Sequence, residues 1–275
     1  MSMTTTRNFV LSLVLLTGAL LLFNGGSSFA GTKSPATATA NGQAIGTTAP
    51  AEPAEVEVEA EAMPARVPDP LYGWNKFWFT FNDVFYSRLM RPLAKGYKVV
   101  VPKKARTGLS NAYDNFTFPI RFVNCLLQLN FAKASKELGR FIINSTFGVG
   151  GLMDLAKSDP NLQPGNEDFG QTLGHYGMPE GFYIVWPFLG PSTLRDSFGM
   201  AGDAAANPLT WIFGPWSVHD DYNPWYWSYV IKGADVFNRL PETLEGYDAI
   251  TKPAIEPYTA MKDAYIQYRR HAVEK

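Results

Sequence analysis

Apolar positions recur at helical spacing along most of this chain, and the first such element is apolar over most of its circumference. From Pro70 to about Met90, a helical period places Tyr72, Trp74, Phe77, Trp78, Phe79, Phe81, Phe85 and Tyr86 on one element. A narrow polar stripe remains through Asn75 and Asn82, with Lys76 and Asp83 beside it. Asp69-Pro70 supplies an N-cap and a proline at the first helical position, and Pro92 is expected to end the helix. A helix apolar nearly all round is buried in a core or in lipid. Lys76, Asp83 and Arg88 argue against a membrane span, which leaves a central core helix and an interface-embedded one as open alternatives.

The pattern predicts further helices. Ala105 to Asp114 is short, and Pro119 to Gln128 begins at a proline. Asn130 caps Phe131 to Thr146, where Phe131, Leu138, Phe141, Ile142 and Phe147 recur at helical spacing. Gly148, Gly150 and Gly151 break that helix, and Leu152 to Lys157 adds a turn or two. A polar loop runs from Ser158 to Glu167, and Asp168 caps a short helix from Phe169 to Leu173. Gly181 to Leu189 is extended, β-branched and aromatic, and Pro187 makes it an edge or isolated strand. Thr193 to Ala206 is helical and stops at Asn207-Pro208. Asn223-Pro224 opens an aromatic helix to about Leu240, Pro241 restarts it, and Pro253 to about Val273 forms a polar terminal helix, the segment least expected to join the core. The elements predict a mainly α, single compact helical domain over residues 69–275, with at most a short extended segment near 181–189.

The residues before Asp69 read differently. Arg7 precedes an apolar run from Phe9 to Phe23, and Ser28-Phe29-Ala30 supplies a small-residue end. This is the pattern of a secretory signal peptide over residues 1–30, with cleavage expected after Ala30. The run is short of the ~20 residues that cross a bilayer. Residues 31–68 are rich in Ala, Thr, Gly and Pro and carry glutamates at 52, 55, 57, 59 and 61. Such a segment buries too little apolar surface to offset its ordering entropy and is expected to be a disordered acidic tether.

Composition narrows the chemistry. The formal charge is −1, so no basic footprint for nucleic acid exists. Abundant Trp and Tyr favour surfaces with one apolar and one wet side. The single cysteine, Cys125, excludes an intramolecular disulfide and is expected to be a buried thiol. His175, His219 and His271 are far apart and lack zinc-ligand spacing. No nucleophile elbow, P-loop or dinucleotide fingerprint is present, and the sequence implies no cofactor, metal or catalytic residue. A hydrolase built from Ser192, His175 and Asp168 is weaker than structural roles for the same residues. Glu167 and Asp168 are expected to cap a helix, His175 to be a hydrogen-bonded structural residue, and Arg195 to make a salt bridge rather than meet a lipid phosphate.

Several blocks carry a family resemblance. They are Asp69-Pro70-Leu71-Tyr72-Gly73-Trp74-Asn75, Pro102 with Gly108-Leu109-Ser110-Asn111, Asn144 to Gly151, Phe169-Gly170-Gln171-Thr172-Leu173-Gly174-His175-Tyr176-Gly177, and Gly181-Phe182-Tyr183 with Gly190 to Asp196. In this order over residues 69–216, they resemble the MlaA/VacJ family. The resemblance implies a ring-like helical body embedded at the inner leaflet of the Gram-negative outer membrane. It further implies removal of mislocalised phospholipid from the outer leaflet, delivery to a soluble periplasmic carrier, and, in some members, a trimeric porin neighbour. On that reading Trp74, Asn75, Trp78, Asn82 and Phe85 are lipid-contact candidates, and Gly170, Gly174, His175, Tyr176, Gly177, Arg195 and Asp196 are motif residues. The family's members are typically lipoproteins, whereas the expected cleavage region reads Ser28-Phe29-Ala30-Gly31 without a lipobox cysteine, so membrane attachment is expected to come from the aromatic body. A membrane lipid hydrolase and a non-transporting envelope scaffold are the competing functions.

Overall fold

The computed structural model describes residues 67–213 and 226–275. The expected signal peptide, nearly all of the expected tether, His219 and the Asn223-Pro224 helix start lie outside the described residues. The described part is mainly α with one small hairpin. Helix α1 spans Tyr72–Phe85, and a wide π-turn, Tyr86–Met90, leads into α2, Arg91–Val100. The expected stop at Pro92 is therefore corrected. The Arg91 N–H reaches back five residues to the Tyr86 carbonyl, and this widening makes room where the proline ring would press on the preceding turn.

Helices α3 (Lys103–Phe116), α4 (Phe118–Leu127) and α5 (Phe131–Thr146) follow. Asn130 caps α5 by accepting from the Lys133 N–H at 3.0 Å, as expected. The turn expected at Leu152–Lys157 is reduced to a 3₁₀ turn at Ala156–Ser158, with a second at Pro160–Leu162. Asp154 is drawn away to Arg140 and Asn144 instead. Asp168 caps α6, Phe169–His175, through the Gln171 N–H at 2.8 Å.

The extended segment is not an isolated strand. Strand β1, Tyr183–Trp186, pairs antiparallel with β2, Gly190–Thr193, with Tyr183 opposite Thr193 and Trp186 opposite Gly190. The sequence hid β2 because Gly-Pro-Ser-Thr has no apolar alternation. The tight return uses positive φ at Phe188 (62°) and Gly190 (82°). Pro191 is tolerated because a two-stranded sheet has only edges.

Helix α7, Leu194–Ala206, is capped by the Thr193 hydroxyl, which accepts from the Asp196 N–H. Short α8 is Pro208–Phe213, and α9 is one continuous helix, Trp227–Thr251. Pro241 does not restart α9; it is buried inside it. A mid-helix proline costs about 3 kcal/mol. Burial of Leu240 and Leu244 in a cluster with Tyr86, Met90 and Ala94 offsets that cost. Helix α10, Pro257–Glu274, is the largest correction. It lies in the core, with Tyr258, Tyr265 and Ile266 packed against Tyr183, Val185 and Val67. Its inward residues recur every three or four positions, and a single glance at its polar composition conceals that face.

Candidate functional site

α1 presents two faces with opposite jobs. Asn75 and Asn82 stand seven residues apart, about two turns, so they share one face. That face lies along the free edge of β1. The Asn75 amide donates to the Tyr183 carbonyl at 2.9 Å and accepts from the Val185 N–H at 2.7 Å. Asn82 repeats the pattern, donating to the Trp186 carbonyl at 3.0 Å and accepting from the Phe188 N–H at 2.8 Å. Tyr86 extends the row by donating to the Phe188 carbonyl. A carboxamide carries the donor and acceptor of a peptide group, so the two asparagines stand in for a third strand. Both are buried, Asn75 completely. An unpaired strand edge in the interior must be satisfied, and these side chains satisfy it, while Asn82 also lines the cavity described below.

The other face of α1 is aromatic and open. Trp74 is 49% exposed and Phe77 62% exposed, and Tyr72, Phe81 and Val84 continue the surface. Trp74, Phe77 and Phe81 each set an edge against the Trp78 ring. Phe85 packs edge-on against Phe188 and closes the surface over the hairpin turn. The apolar exterior continues through Leu89 of the π-turn and Leu93, Val99 and Val100 of α2. Among the described residues, buried polar and charged side chains outnumber buried apolar ones. That balance inverts the usual distribution for a water-soluble domain.

A second polar centre lies between α6, α7 and α10. Arg269 makes a forked contact with Asp168, at 2.5 Å and 2.8 Å, and bonds Asp196 at 3.0 Å and 2.8 Å. The Tyr265 hydroxyl donates to Asp196 at 2.8 Å. Burial raises the Asp168 pKa, but hydrogen bonding and the charge of Arg269 outweigh it and leave the net shift downward. The motif glycines make this packing possible. A Cβ at Gly170 would lie 2.7 Å from an Asp196 oxygen and 2.8 Å from Arg269, and one at Gly199 would lie 2.5 Å from the Gly170 nitrogen. One at Gly174 would meet Val273 at 2.8 Å and Arg195 at 3.0 Å. Gly177 has φ of +81° and turns the chain after α6.

The remaining motif residues are placed as follows. Arg195 is buried, with long contacts to the Asp196 carboxylate and the Met178 carbonyl. Tyr176 is exposed and donates to the Leu127 carbonyl. His175 is exposed rather than buried in a hydrogen-bonded site, with its ring edge-on to Tyr176. It stands at the last turn of a short helix whose inner face is already filled by Gly170, Gln171 and Thr172. The Ser192 hydroxyl is buried and engaged with the Thr193 carbonyl and Ser197. Ser192, His175 and Asp168 therefore share no hydrogen bond. Cys125 is fully buried, as expected. Among the described residues, no group of three or more His, Cys, Asp or Glu side chains is arranged to hold a metal ion, and no helix is long and apolar enough to cross a membrane.

Behind the inner face of α1 lies a cavity of about 330 Å³. Its apolar wall includes Phe79, Ile120, Val185, Met200, Val236, Leu240, Leu244 and Met261. Its charged wall comprises Asp114, Glu167, Asp168, Asp196, Asp203 and Asp235, against Arg121, Arg239 and Arg269. Most of these charges are already paired: Arg239 holds Asp114 and Asp235, Lys133 holds Glu167, and Glu137 holds Arg121. Burial pushes Asp235 up to about 6 despite Arg239. Asp203 accepts from the Phe169 N–H and from Asn124 and interacts electrostatically with the largely buried Lys232. Burial first, then the neighbouring Asp168, pushes its pKa up to about 7.

The sequence model of the MlaA lipoprotein family matches residues 67–272, the same span that builds the asparagine clamp, the Arg269 centre and the cavity. The chain belongs to the MlaA family. The intermembrane phospholipid transport system lipoprotein MlaA of Escherichia coli K12 is 34% identical over 202 residues, covering 72% of this chain and 76% of the relative. Its namesake from Haemophilus influenzae is 32% identical over 203 residues, with the same two coverages. A solved structure described as the structural basis for maintenance of bacterial outer membrane lipid asymmetry superposes with a TM-score of 0.62 at 30% identity. It spans 75% of this chain and 99% of its own. MlaA membership accounts for the motif blocks, whose glycines, Asp196 and Arg195 the structure gathers around α6 and α7. Asp203, Asp235, Arg239, Tyr265 and Arg269 were not anticipated. For the last two, the spacing Tyr258, Met261, Tyr265, Arg269 was the available signal, since it marks one helical face.

Proposed function

We propose that this protein is the outer-membrane component of an intermembrane phospholipid transport system and helps maintain lipid asymmetry. On this reading it is exported, with its leader cleaved near Ala30, and its ring-like body sits on the periplasmic side of the outer membrane. The aromatic face of α1 rests among acyl chains, since amphipathic aromatic surfaces partition to the lipid interface. Mislocalised phospholipid from the outer leaflet passes through the amphipathic interior and leaves to a periplasmic carrier. A trimeric porin beside the body belongs to the same reading. Transfer is passive: the lipid moves down its own free-energy gradient, and the carrier's affinity sets the direction.

The observation that carries this reading is the inverted distribution of polarity. Apolar side chains cover the outside of α1 and α2 while charged and apolar walls meet around an interior cavity. A phospholipid needs both kinds of wall, because a buried headgroup without polar partners costs several kcal/mol.

The test is transfer of labelled phospholipid from vesicles through the purified full chain to a purified periplasmic carrier, without nucleotide. Transfer is expected with the wild type, and Val236→Trp, which adds bulk at the cavity wall, is expected to slow it severalfold. A requirement for nucleotide on this chain would overturn the passive route. Release of free fatty acid would favour the hydrolase, and vesicle tethering without lipid movement would favour the scaffold.

A further inference from the structure

From Val84 to Tyr113 the chain carries seven basic side chains and no acidic one. The whole chain holds nearly equal numbers, 24 basic and 25 acidic, so the excess is local. Three of the seven are neutralised from one side. Arg91 pairs with Asp248, Lys98 with Glu245 at 2.7 Å and Arg106 with Glu242 at 2.6 Å, and all three acids stand on α9. Arg88, Lys95, Lys103 and Lys104 are exposed and have no acidic partner among the described residues.

Helical spacing sorts the side chains of this region into stripes. Met90 and Ala94 are buried, and Tyr97 follows them inward to bond Asn238 on α9. Arg91, Lys95 and Lys98 lie four and three residues apart and form the next stripe, with Arg88 one turn before it. Beyond them runs an uncovered apolar stripe of Leu89, Leu93 and Val100. Val99, one turn after Lys95, joins the two; it is 87% exposed and Val100 is 79% exposed. A face made for water would set acids among the bases and polar groups where these valines stand.

α3 supplies an independent signal. Lys103 and Lys104 are its first two residues, and its first turn holds no acid. The positive end of a helix dipole is the least favourable place on the helix for a cation. The pair therefore finds its counter-charge outside the fold. Bases bordering exposed aliphatic residues mark an element that lies in the plane of an anionic membrane surface, with cationic heads at the phosphates and apolar side chains below.

Resting on the membrane placement in the transport reading above, we propose that α2 and the first turn of α3 bind anionic phospholipid in the surrounding leaflet. Arg88, Lys95, Lys103 and Lys104 meet its headgroups, while Leu93, Val99 and Val100 enter the acyl region. The aromatic face of α1 attaches the body to any bilayer; the basic stripe adds the preference for negative charge.

The test is co-flotation of the full chain with vesicles of phosphatidylcholine alone and of an equal mixture with phosphatidylglycerol. Each base near an anionic surface favours binding by roughly fivefold before screening, so the mixture is expected to bind the wild type at least about tenfold more tightly. That ratio is expected to fall towards one in about 1 M salt, where the screening length is about 3 Å. The combined Arg88→Gln, Lys95→Gln, Lys103→Gln and Lys104→Gln variant is expected to bring the ratio to about two and to leave binding to phosphatidylcholine unchanged. A wild-type ratio near one, a ratio indifferent to salt, or a folded variant that keeps the full preference would overturn the assignment while leaving the membrane placement intact. Flotation with neither vesicle would sink that placement itself. Should the variant fail to fold, the wild-type salt series decides alone. Carbodiimide crosslinking with the mixed vesicles present is expected not to join Lys95 to a glutamate of residues 52–61; such a link would assign the stripe to the chain's own acidic segment instead of lipid.

Discussion

Around Arg269 the molecule packs charge into its interior, whereas along the outward face of α1 it leaves large aromatic rings uncovered. The first region is closed on itself: one guanidinium, two carboxylates and a tyrosine hydroxyl satisfy one another where α6, α7 and α10 meet. The second has no such closure, and Trp74 and Phe77 find only other rings and whatever surrounds the protein. Internal charge pairing and exposed aromatic surface thus fall to different residues. A substitution in one region is expected to disturb one property and spare the other.

The sharpest way to break that division is at Arg269. Arg269→Met removes the cation shared by half-buried Asp168 and buried Asp196, leaving Asp196 only its long contact to Arg195, and is expected to cost about 3 kcal/mol in denaturant unfolding. A loss under 1 kcal/mol would mean the charges there are solvated and the contrast is false. Asn75→Leu comes next. It orphans the Tyr183 carbonyl and the Val185 N–H on the edge of β1 and is expected to cost about 2–3 kcal/mol. The same assay should show Asn75→Asp failing as well, because a carboxylate cannot donate to the Tyr183 carbonyl.

Asp203→Asn sharpens the comparison from the cavity side and is read by pH. The folded-state pKa of Asp203 lies near 7, above the ordinary carboxylate value of 3.8. Folding therefore favours the protonated acid, and ionisation between about pH 4 and 7 weakens the folded state progressively. The variant lacks this penalty. Its melting temperature is expected to exceed the wild type's at pH 8 and to approach it at pH 5; a constant difference across that range would rule the titration out. Asp168 has the opposite sign, since its lowered pKa contributes stability that is lost only as pH falls below the ordinary carboxylate range.

The smallest effect on stability is expected on α1's exposed face. Trp74→Ser with Phe77→Ser should change unfolding by less than about 0.5 kcal/mol, yet reduce co-flotation with phospholipid vesicles severalfold. Loss of folding instead of loss of flotation would make this face part of a protein interface and erase the distinction between the regions.

Much of the helical scaffold was legible in the chain because capping and periodicity are local. Asn130 and Asp168 cap helices where their spacing said they would. The motif glycines marked close packing correctly, since a side chain at Gly170 or Gly199 has no space to occupy. Prolines misled in two places. Pro92 and Pro241 signal helix ends locally, but a widened turn and a buried helix face accommodate them. Asn75 and Asn82 were ambiguous for a related reason. A polar residue on an apolar helix faces either water or an unmet backbone group, and nothing within its own helix distinguishes the two.

By itself, then, the sequence determined a mainly helical domain, its caps, its aromatic first helix and its family, because these depend on neighbours a few positions apart or on ordered motifs. Only the tertiary structure decided which way the asparagines of α1 turn, that Gly190 to Thr193 forms a strand, and that Arg269 is the centre of a core rather than an ornament of a polar tail. The first and last of those outcomes join residues about a hundred positions apart, and the strand forms only where its neighbour Tyr183–Trp186 pairs with it. Their partners are chosen by the need to satisfy buried hydrogen-bonding groups and charges, and that need arises only once the chain has closed around them.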